Sequence, residues 1–311
     1  MKAIRYHEFG STEVLQEEEV QRPTPAADEV LIRVVATSFN PVDDHIRLGV
    51  LADAIPTPLP ITPGLDVAGT VEQLGENVTT FQVGDAVIGM FPLDVHGGAA
   101  EYAVIAANFL AAAPTTLPLV DAAALPLTGL AARQAAVELG QVAKGQTVLV
   151  NGAGGAVGSI VVQLAADAGA VVTAVDGPQH AERLHAQGAS SFYGPLDLDA
   201  GPQVIGGPFD LVVNHVRLSA EDLAKLTDFV ADGGIAVSSA GAIPSNESRF
   251  TRSANVWVAP SGANLADLVA RLDAGRIELN IVDRRPLDQL RAIHSEAAAG
   301  KLAGKTVITV G

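Results

Sequence analysis

The sequence predicts an α/β protein in which a β-rich region precedes a doubly wound parallel sheet. From about residue 125 onward, short apolar strands alternate with helical segments, which is the pattern of repeated β–α–β units. The first 120 residues instead hold short strand-like segments separated by Pro and Gly, which is typical of a compact β-domain. Hydrophobic residues make up 48% of the 311 residues and charged residues only 17%, as expected where parallel strands are buried on both faces.

The β-rich region contains four predicted strands. Residues 29–38, EVLIRVVATS, form the longest of these segments, and Gly-bearing turns separate the ones that follow. The other three are 66–75, 84–90 and 100–106. Many short strands at close spacing favour a barrel-like arrangement for this part of the chain.

The middle of the chain alternates between the two kinds of element. The predicted strands are 146–151, 171–175, 209–216, 235–240 and 254–259. The predicted helices are 127–140, 157–168, 180–188 and 220–231. This alternation places the doubly wound domain at about 122–260. The tail adds amphipathic helices over 264–273 and 287–299 and a strand over 305–310, and its pattern is compatible with packing on either part.

Charge and composition exclude several classes of protein. A formal net charge of −16 with no Lys/Arg run makes nucleic acid an unfavourable partner, because a phosphate backbone would be repelled. The chain has no cysteine, which excludes disulfides, thiolate metal ligands and a catalytic thiol. The N-terminal MKAIRYHEFG lacks the apolar run of a secretion signal, and no apolar stretch reaches the roughly 20 residues of a membrane helix. We therefore expect a soluble cytoplasmic protein.

A glycine-rich loop follows the strand at 146–151 and precedes a helix. Because Ala153 stands where the first glycine of the G-x-G-x-x-G fingerprint often lies, the pattern runs through Ala153, Gly155 and Gly158. Glycines let the backbone approach a pyrophosphate, and the helix start offers free N–H groups and a positive dipole end. The predicted cofactor-binding residues here are Gly152, Ala153, Gly154, Gly155, Ala156, Val157 and Gly158.

The second strand of the middle region ends at Asp176. An acidic residue at this place binds the adenosine ribose hydroxyls and disfavours a 2′-phosphate, which favours NADH over NADPH. The next segment carries the basic side chains His180, Arg183 and His185, which would suit a phosphate, although we favour a solvated helix face. The sequence therefore predicts a nicotinamide cofactor and leaves the choice between NADH and NADPH open.

Several motifs together resemble one protein family over almost the whole chain. They are 40–49 (NPVDDHIRLG), 63–71 (PGLDVAGTV), 83–89 (VGDAVIG), 97–104 (GGAAEYAV), 122–132 (AAALPLTGLAA), 146–165 (QTVLVNGAGGAVGSIVVQLA), 267–277 (DLVARLDAGRI) and 304–310 (GKTVITV). In order and spacing they resemble the medium-chain dehydrogenase/reductase superfamily, in its zinc-free quinone oxidoreductase branch, which is zeta-crystallin-like. One departure is VVNHVRLS, where Asn214 stands without the Gly pair that many relatives have after the fourth strand.

The resemblance implies a GroES-like catalytic domain built from both chain ends, 1–121 and 261–311, and a Rossmann domain over 122–260. It further implies an active site in the cleft between them and a homodimer formed through the strand at 254–259. Zinc-dependent relatives carry Cys and His ligands, whereas this chain has no Cys, so we expect no zinc and no other metal. Without that Lewis acid, reduction of a quinone or an α,β-unsaturated carbonyl fits better than alcohol oxidation.

The resemblance also suggests individual site residues. Asn40, in NPVD, would donate a hydrogen bond to a developing oxyanion, and His45 stands where some relatives have a substrate-facing Tyr and would relay a proton. Thr128 resembles the Thr that contacts the nicotinamide side. Residues expected to serve structure instead are Asp43, Asp66, Asp85, the exposed-loop His96 and the sheet-edge or dimer-contact Trp257.

Three functions remain open from the sequence. The leading one is an NAD(P)H-dependent quinone or enone reductase, with NADPH suggested by the family and NADH by Asp176. An enoyl reductase acting on a biosynthetic intermediate is a close alternative. A nucleotide-binding protein without catalysis is the alternative from another class, since fold and family license a reaction type and not a substrate.

Overall fold

The computed structural model describes residues 1–95, 97–302 and 304–311. His96, predicted to be an exposed loop residue, lies outside the described residues. The strands are β1 Lys2–Arg5, β2 Gln16–Glu19, β3 Glu29–Ser38, β4 Asp66–Leu74, β5 Ala86–Met90, β6 Tyr102–Ala106, β7 Leu110–Ala112, β8 Thr147–Asn151, β9 Val171–Val175, β10 Ser191–Tyr193, β11 Phe209–Asn214, β12 Val230–Ser238, β13 Arg252–Asn255, β14 Ile281–Pro286 and β15 Lys305–Thr309.

The described residues form fewer α-helices than strands. They are α1 Pro41–Arg47, α2 Leu119–Ala122, α3 Pro126–Arg133, α4 Ala156–Asp167, α5 Ala181–Ala186, α6 Ala220–Lys225, α7 Gly262–Asp273 and α8 Leu290–Ala298. The predicted helix over 127–140 ends as an α-helix at Arg133 and continues as a π-helical segment, Gln134–Leu139. There the Gly140 N–H donates to the Ala135 carbonyl, one residue further back than in an α-helix.

The chain forms two compact units. One holds Met1–Leu130, Ala259–Ala274 and Leu279–Gly311, and the other holds Ala131–Val258 and Gly275–Glu278. We call them the terminal unit and the central unit. The terminal unit continues past the predicted border at 121, because residues 122–130 pack within it; for example, the Leu127 N–H donates to the Asp66 carboxylate over 2.7 Å.

The terminal unit is built on a mainly antiparallel sheet of seven strands. Its order is β14-β15-β3-β4-β5-β7, and β6 pairs with the free part of β3. The tail strand β15 runs antiparallel to β3, with Val307 opposite Ser38. Seven of the ten β3 residues are buried. The strand pairs with three neighbours because β4 occupies one edge, while β6 and β15 share the other edge. The separate hairpin β1–β2 completes this unit.

The central unit is built on a six-stranded parallel sheet with the order β10-β9-β8-β11-β12-β13. Every strand pair in it is parallel, and the order reverses between β8 and β11, as in doubly wound dinucleotide-binding folds. The strands are continuous apolar runs because helices cover them; Val148, Leu149 and Val150 are each fully buried. The predicted α/β class, with a β-rich domain and a Rossmann-type domain, is thus confirmed.

The core of the central unit includes a cluster of buried apolar side chains that strands of this sheet contribute. Leu149, Val212, Phe209 and Phe229 form one buried cluster with further apolar side chains from α6 and the loops that follow the strands. Fully burying such side chains stabilises a fold by roughly 1.5–3 kcal/mol each. Among the described residues, no helix is long and apolar enough to cross a membrane.

Candidate cofactor site

The glycine loop joins the end of β8 to the start of α4. Gly152 has φ +82°, a conformation that L side chains rarely adopt, so the turn leaving Asn151 needs a glycine. The backbone N–H groups of Gly152 and Ala153 both donate to the Val175 carbonyl, over 3.0 and 3.1 Å. The loop is therefore fixed to the end of the neighbouring strand β9.

Two glycines of the loop have no room for a side chain. A Cβ on Gly158 would lie 2.2 Å from the Gly152 carbonyl oxygen, and a Cβ on Gly154 would lie 2.3 Å from His180 Cδ2. Gly155 is different, because its Cβ would meet only the Gly152 carbonyl oxygen at 3.4 Å. Gly158 thus allows α4 to pack on the strand turn, and Gly154 allows the loop to lie against Asp176 and His180, whereas Gly155 leaves space above the loop.

The loop also presents the start of a helix. Gly155 is the N-cap of α4, a helix of twelve residues, and no side chain caps it. The first N–H groups of a helix have no partner inside the helix, and together with the helix dipole they favour a bound anion. Free N–H groups and space above Gly155 are what a diphosphate needs.

Asp176, the first residue after β9, is bonded to the loop. Its carboxylate accepts hydrogen bonds from the backbone N–H groups of Gly154 and Gly177, each over 2.7 Å. An ionised carboxylate offers about four lone-pair positions, so about two remain for other donors such as ribose hydroxyls. Asp176 therefore both holds the loop and stays able to bind a vicinal diol.

The sequence suggested that Arg183 lies on a solvated helix face, and the structure contradicts this expectation. Its Nη2 donates to the Gly154 carbonyl over 2.9 Å, and its Nη1 donates to Ser159 Oγ and Gln187 Oε1 over 3.0 and 3.1 Å. Burial lowers the pKa of this guanidinium. The helix α5 is short, and its first turn faces the loop, so Arg183 packs underneath the loop rather than in solvent.

His180 lies between these two residues. Its Nδ1 is 3.4 Å from Arg183 Nη2, and its Nε2 is 3.8 Å from the Asp176 carboxylate. His185, also considered as a phosphate ligand, instead has its Nδ1 2.9 Å from the Ala189 carbonyl, behind the end of α5. Of the three basic side chains, His180 and Arg183 border the loop and His185 does not.

A cavity of about 230 Å³ opens beside Asp176. Its walls are mostly apolar, while Asn151, Gly152, Asp176 and Gly177 supply polar edges on one side. The apolar lining is Val175, Pro195, Leu196, Leu198, Val216 and Leu218. A flat apolar group with a neighbouring diol, such as adenosine, fits this combination of apolar walls and a carboxylate.

Two buried asparagines, absent from the predicted site, mark the point where the strand order reverses. Asn151 ends β8 and Asn214 ends β11, and Asn151 Nδ2 donates to Asn214 Oδ1 over 2.9 Å. Asn214 Nδ2 in turn donates to the Val216 carbonyl over 2.9 Å. These bonds shape the backbone where a dinucleotide crosses such a sheet. The sequence signal was the polar residue at the end of each apolar strand.

In the terminal unit, Asn40 belongs to a buried polar cluster. Its Nδ2 donates to Asp66 Oδ2 over 2.8 Å, and its Oδ1 accepts from Lys305 Nζ over 2.7 Å. Lys305 also forms an ion pair with Asp66 at 3.2 Å, and Ser38 Oγ donates to the same carboxylate oxygen. Asp66 is fully buried, and Asn40 is 3% exposed. The sequence did not identify Lys305, which is the charge that compensates Asp66.

Asp43 holds the turn before α1, as the sequence predicted. Its carboxylate accepts from the backbone N–H groups of Asn40, over 2.9 Å, and of Gly64, over 3.3 Å. Burial raises the pKa of Asp43 to about 6. Asp66 likewise serves the fold, and Asp85 caps a turn by accepting from the Gln82 N–H over 2.8 Å.

A second buried network fixes α1, the helix that carries His45. Arg47 is 1% exposed, and it donates to Asp44 over 2.8 Å and to the Gly10 carbonyl. His294 of α8 lies 2.6 Å from the same Asp44 oxygen. A buried guanidinium is costly without partners, so these bonds determine how α1 is placed. His45 is half-buried in the last turn of α1.

Thr128 lies within α3, two residues after the start of that helix, and is 3% exposed. Its role at the nicotinamide stays a prediction.

The chain contains no cysteine. Within residues 1–95, 97–302 and 304–311, no group of three or more His, Asp or Glu side chains is arranged to hold a metal ion.

Two family models match the chain. Residues 26–115 match the alcohol dehydrogenase GroES-like domain, and residues 187–308 match the zinc-binding dehydrogenase model. Among curated relatives, the 2-methylene-furan-3-one reductase of Solanum lycopersicum is 32% identical over 335 residues, covering 99% of this chain and 79% of that protein. The quinone oxidoreductase of Homo sapiens is 30% identical and covers 97% of each chain.

Solved structures of related dehydrogenases also match this chain over nearly its whole length. An NAD-dependent alcohol dehydrogenase superposes with a TM-score of 0.88 at 27% identity and covers 100% of both chains. A mycobacterial protein complexed with NADPH superposes with a TM-score of 0.84 at 25% identity and covers 99% of each chain. The glycine loop, the strand order and the full-length relatives agree, and the chain belongs to the quinone oxidoreductase branch of the medium-chain dehydrogenase/reductase superfamily, whose members are NAD(P)H oxidoreductases.

Proposed function

We propose that the chain reduces a quinone or an α,β-unsaturated carbonyl with hydride from a reduced nicotinamide dinucleotide, without zinc. The observation that carries this proposal is the loop in which Gly154 and Gly158 have no room for a Cβ while Gly155 leaves space before the uncapped start of α4. That arrangement suits a diphosphate. The human relative supports a quinone acceptor, and the tomato relative, a reductase of an exocyclic methylene ketone, supports an enone.

The residues present do not fit a catalytic zinc. Alcohol dehydrogenases bind it with two Cys and one His, and this chain has no Cys to offer. Activated acceptors do not require that Lewis acid, because a quinone or enone oxygen needs only a hydrogen-bond donor or a proton as charge develops. A zinc-free reduction is therefore the chemistry that this chain's residues support best.

The central unit supplies the cofactor contacts in this proposal. When bound, the reduced nicotinamide ring supplies a hydride to the acceptor. The loop N–H groups and the start of α4 bind the diphosphate, the cavity beside Val175 and Leu196 holds the adenine, and Asp176 accepts from the adenosine ribose. Because a 2′-phosphate would face the Asp176 carboxylate, and because Arg183 is already bonded to Gly154, Ser159 and Gln187, we propose NADH as the preferred cofactor.

Two residues of the terminal unit, His45 and Asn40, have different proposed roles. His45 is half-buried on α1 and serves as the proton source for the reduced acceptor. The predicted contact between the Asn40 amide and the acceptor oxygen has less support, because Nδ2 already donates to Asp66 and Oδ1 accepts from Lys305. Asn40 is instead proposed to position the turn that leads into α1.

We also propose that the protein is a homodimer, joined through β13. This strand is the last one in the order that the described residues of the central sheet form. Trp257 follows it and is 56% exposed, so its ring is accessible to a second copy of the chain. Sedimentation equilibrium should give the mass of two chains, and W257R should shift the mass to one chain. A wild-type monomer at micromolar concentration would overturn this proposal.

The test of function is oxidation of NADH and NADPH in parallel, with 1,4-benzoquinone and with an exocyclic methylene ketone as acceptors. Turnover should exceed the uncatalysed rate with at least one acceptor, be faster with NADH, and be unchanged by the chelator 1,10-phenanthroline. With NADH deuterated at C4, the label should appear on the β-carbon of the enone product. The H45F variant tests the proposed proton source, and it should retain cofactor binding and lose turnover. No turnover with either cofactor and either acceptor would overturn the proposed reaction.

A further inference from the structure

One buried histidine contacts the two residues that directly precede proposed site residues of the terminal unit. His294 lies on α8 and is 1% exposed. Its Nδ1 is 2.6 Å from Asp44 Oδ1, and Asp44 directly precedes His45 on α1. Its ring also meets the Phe39 ring edge to face, with the ring centroids 4.9 Å apart, and Phe39 directly precedes Asn40. A single imidazole therefore contacts the neighbours of both residues.

The contact between His294 and Asp44 has a defined direction. Burial opposes ionisation of Asp44, but the hydrogen bonds from His294 and Arg47 outweigh it and lower the pKa of this carboxyl group. An ionised carboxylate only accepts, so His294 Nδ1 carries the proton and donates it. Arg47 Nε lies 3.4 Å from the same nitrogen, and the shorter contact with the carboxylate decides where the proton lies. Hydrogen bonds to an ionised group are stronger than neutral ones, so this contact holds α1 firmly.

The contact with Phe39 reaches the turn before α1. Phe39 is buried, and its N–H donates to the Thr306 carbonyl over 3.0 Å. Lys305 Nζ donates to the Phe39 carbonyl over 3.4 Å and to Asn40 Oδ1 over 2.7 Å. The backbone of the turn is thus held by β15, and its aromatic side chain packs on His294 in the edge-to-face geometry that aromatic pairs prefer.

The helix that carries His294 is itself fixed at its outer side. Ser295 Oγ donates to Thr12 Oγ1 over 3.0 Å, and Arg291 Nη2 donates to the Leu15 carbonyl. α8 therefore offers His294 a fixed base on the N-terminal segment of the chain. Because the His294 ring is buried, an acceptor cannot reach it, and any effect of this residue on the reaction must pass through its neighbours.

We propose that His294 is a positioning residue for the reduction. Its hydrogen bond to Asp44 fixes the next residue, His45, in the place from which it delivers a proton, and its contact with Phe39 supports the turn at Asn40. The inference rests on the proposed function, because it requires His45 to protonate the reduced acceptor. It deepens that function by naming the buried residue of α8 that controls the geometry of the proton source on α1.

Two substitutions of His294 separate its two contacts. In H294F a ring remains to pack against Phe39, and the donor to Asp44 is lost. In H294N the amide nitrogen stands near the Nδ1 position and retains the donor, while the ring is lost. The matched control is L290A, one turn earlier on α8. Leu290 is 2% exposed, so this change removes a buried side chain and lowers stability without removing either contact.

Steady-state kinetics of the full chain, with NADH and the exocyclic methylene ketone, measures the effect on the reaction. H294F should lower kcat about ten- to a hundredfold, as expected for a misplaced reacting group, and should leave KM for the acceptor within about twofold. H294N should recover most of this loss, and L290A should keep both constants although it unfolds at a lower urea concentration. An unchanged kcat in H294F, or equal losses of kcat in H294F and L290A, would overturn the inference and leave the proposed function standing.

The NMR signal of the His45 ring tests the position of that side chain without any turnover. In ¹H–¹³C spectra this signal should move in H294F and should stay at its wild-type position in H294N and L290A. A signal that stays in place in all three variants would contradict the inference. If H294F does not fold, H294M replaces it with the same expected results, because its flexible apolar side chain adapts to the space that the ring leaves. A wild-type protein without turnover would overturn the proposed function, and this inference with it.

Discussion

The Asp176 carboxylate accepts a hydrogen bond from the Gly154 backbone N–H over 2.7 Å, so the residue proposed to select the cofactor also holds the loop that binds it. On the other side of the loop, the Gly154 carbonyl accepts from Arg183 over 2.9 Å. One glycine is thus held from both sides by charged groups of opposite sign. We therefore propose that Asp176 couples cofactor selection to the rigidity of the loop.

Asp176→Asn tests this coupling. The substitution keeps the shape of the side chain and removes the charge that would repel a 2′-phosphate, so the ratio of NADPH to NADH affinity should rise about five- to tenfold. Fluorescence titration with each reduced cofactor gives both dissociation constants. The control is E182Q, which removes an exposed charge on the same helix as Arg183 and should leave the ratio unchanged. An unchanged ratio in D176N would show that Asp176 does not face the 2′ position.

Gly158→Ala and Gly155→Ala form a matched pair. The first places a Cβ 2.2 Å from the Gly152 carbonyl oxygen, where backbone must move, so the melting temperature should fall and NADH binding should be lost. The second meets the same oxygen at 3.4 Å, an ordinary contact. G155A should therefore fold as the wild type does and lose affinity only through the space it fills above the loop. Differential scanning calorimetry and NADH titration check both, and equal stability of the two variants would contradict this assignment of roles.

Lys305→Met tests the buried cluster around Asn40. Lys305 is 5% exposed, and its removal leaves the Asp66 carboxylate buried without a counter-charge, which should destabilise the protein by about 3–5 kcal/mol. Urea denaturation followed by circular dichroism measures the change. K2M, which breaks the solvent-exposed ion pair of Lys2 and Glu17, should leave the denaturation midpoint unchanged. D66N/K305M should be more stable than the sum of the single changes predicts, and simple additivity would speak against the pair.

Asp43 and His215 have opposite pKa shifts, so acid should change the free energy of unfolding in opposite directions through these two residues. Burial raises the pKa of Asp43 from 3.8 to about 6, so its contribution to stability is fully present below pH 3.8 and is lost as the pH rises through 6. Burial lowers the pKa of His215 from 6.5 to about 4, so its contribution is fully present above pH 6.5 and is lost as the pH falls through 4. Each slope is at most about 1.4 kcal/mol per pH unit.

Single variants should separate these slopes. Between pH 4.5 and 6, D43N should lose stability more steeply on acidification than the wild type, and H215Q should lose it less steeply. Urea midpoints at four pH values in this range give the slopes. Slopes that match the wild type in both variants would contradict the two shifts, and D85N, which alters an exposed turn, serves as the control.

The order of the elements could be predicted from local pattern. The apolar run over 29–38 became β3 with the predicted bounds, and the strand at 171–175 became β9. Elements without such a pattern were missed or misplaced. α1 has only seven residues and begins with Pro41. The predicted strand over 254–259 lies instead at Arg252–Asn255, where pairing with β12 decides its bounds.

The sequence by itself determined the α/β class, the parallel sheet, the glycine loop and the acidic residue after its second strand, because periodicity and turn chemistry act within a few residues. The tertiary structure alone decided which polar side chains meet. Asn40 and Lys305 are 265 residues apart and bond over 2.7 Å, and Arg183 turns from a supposed solvent face to the loop carbonyl of Gly154. The periodicity of a sequence segment predicts which of its side chains are buried. The partner of a buried side chain, however, depends on how distant strands and helices pack. That packing decides whether a charged side chain binds a ligand or stabilises the fold.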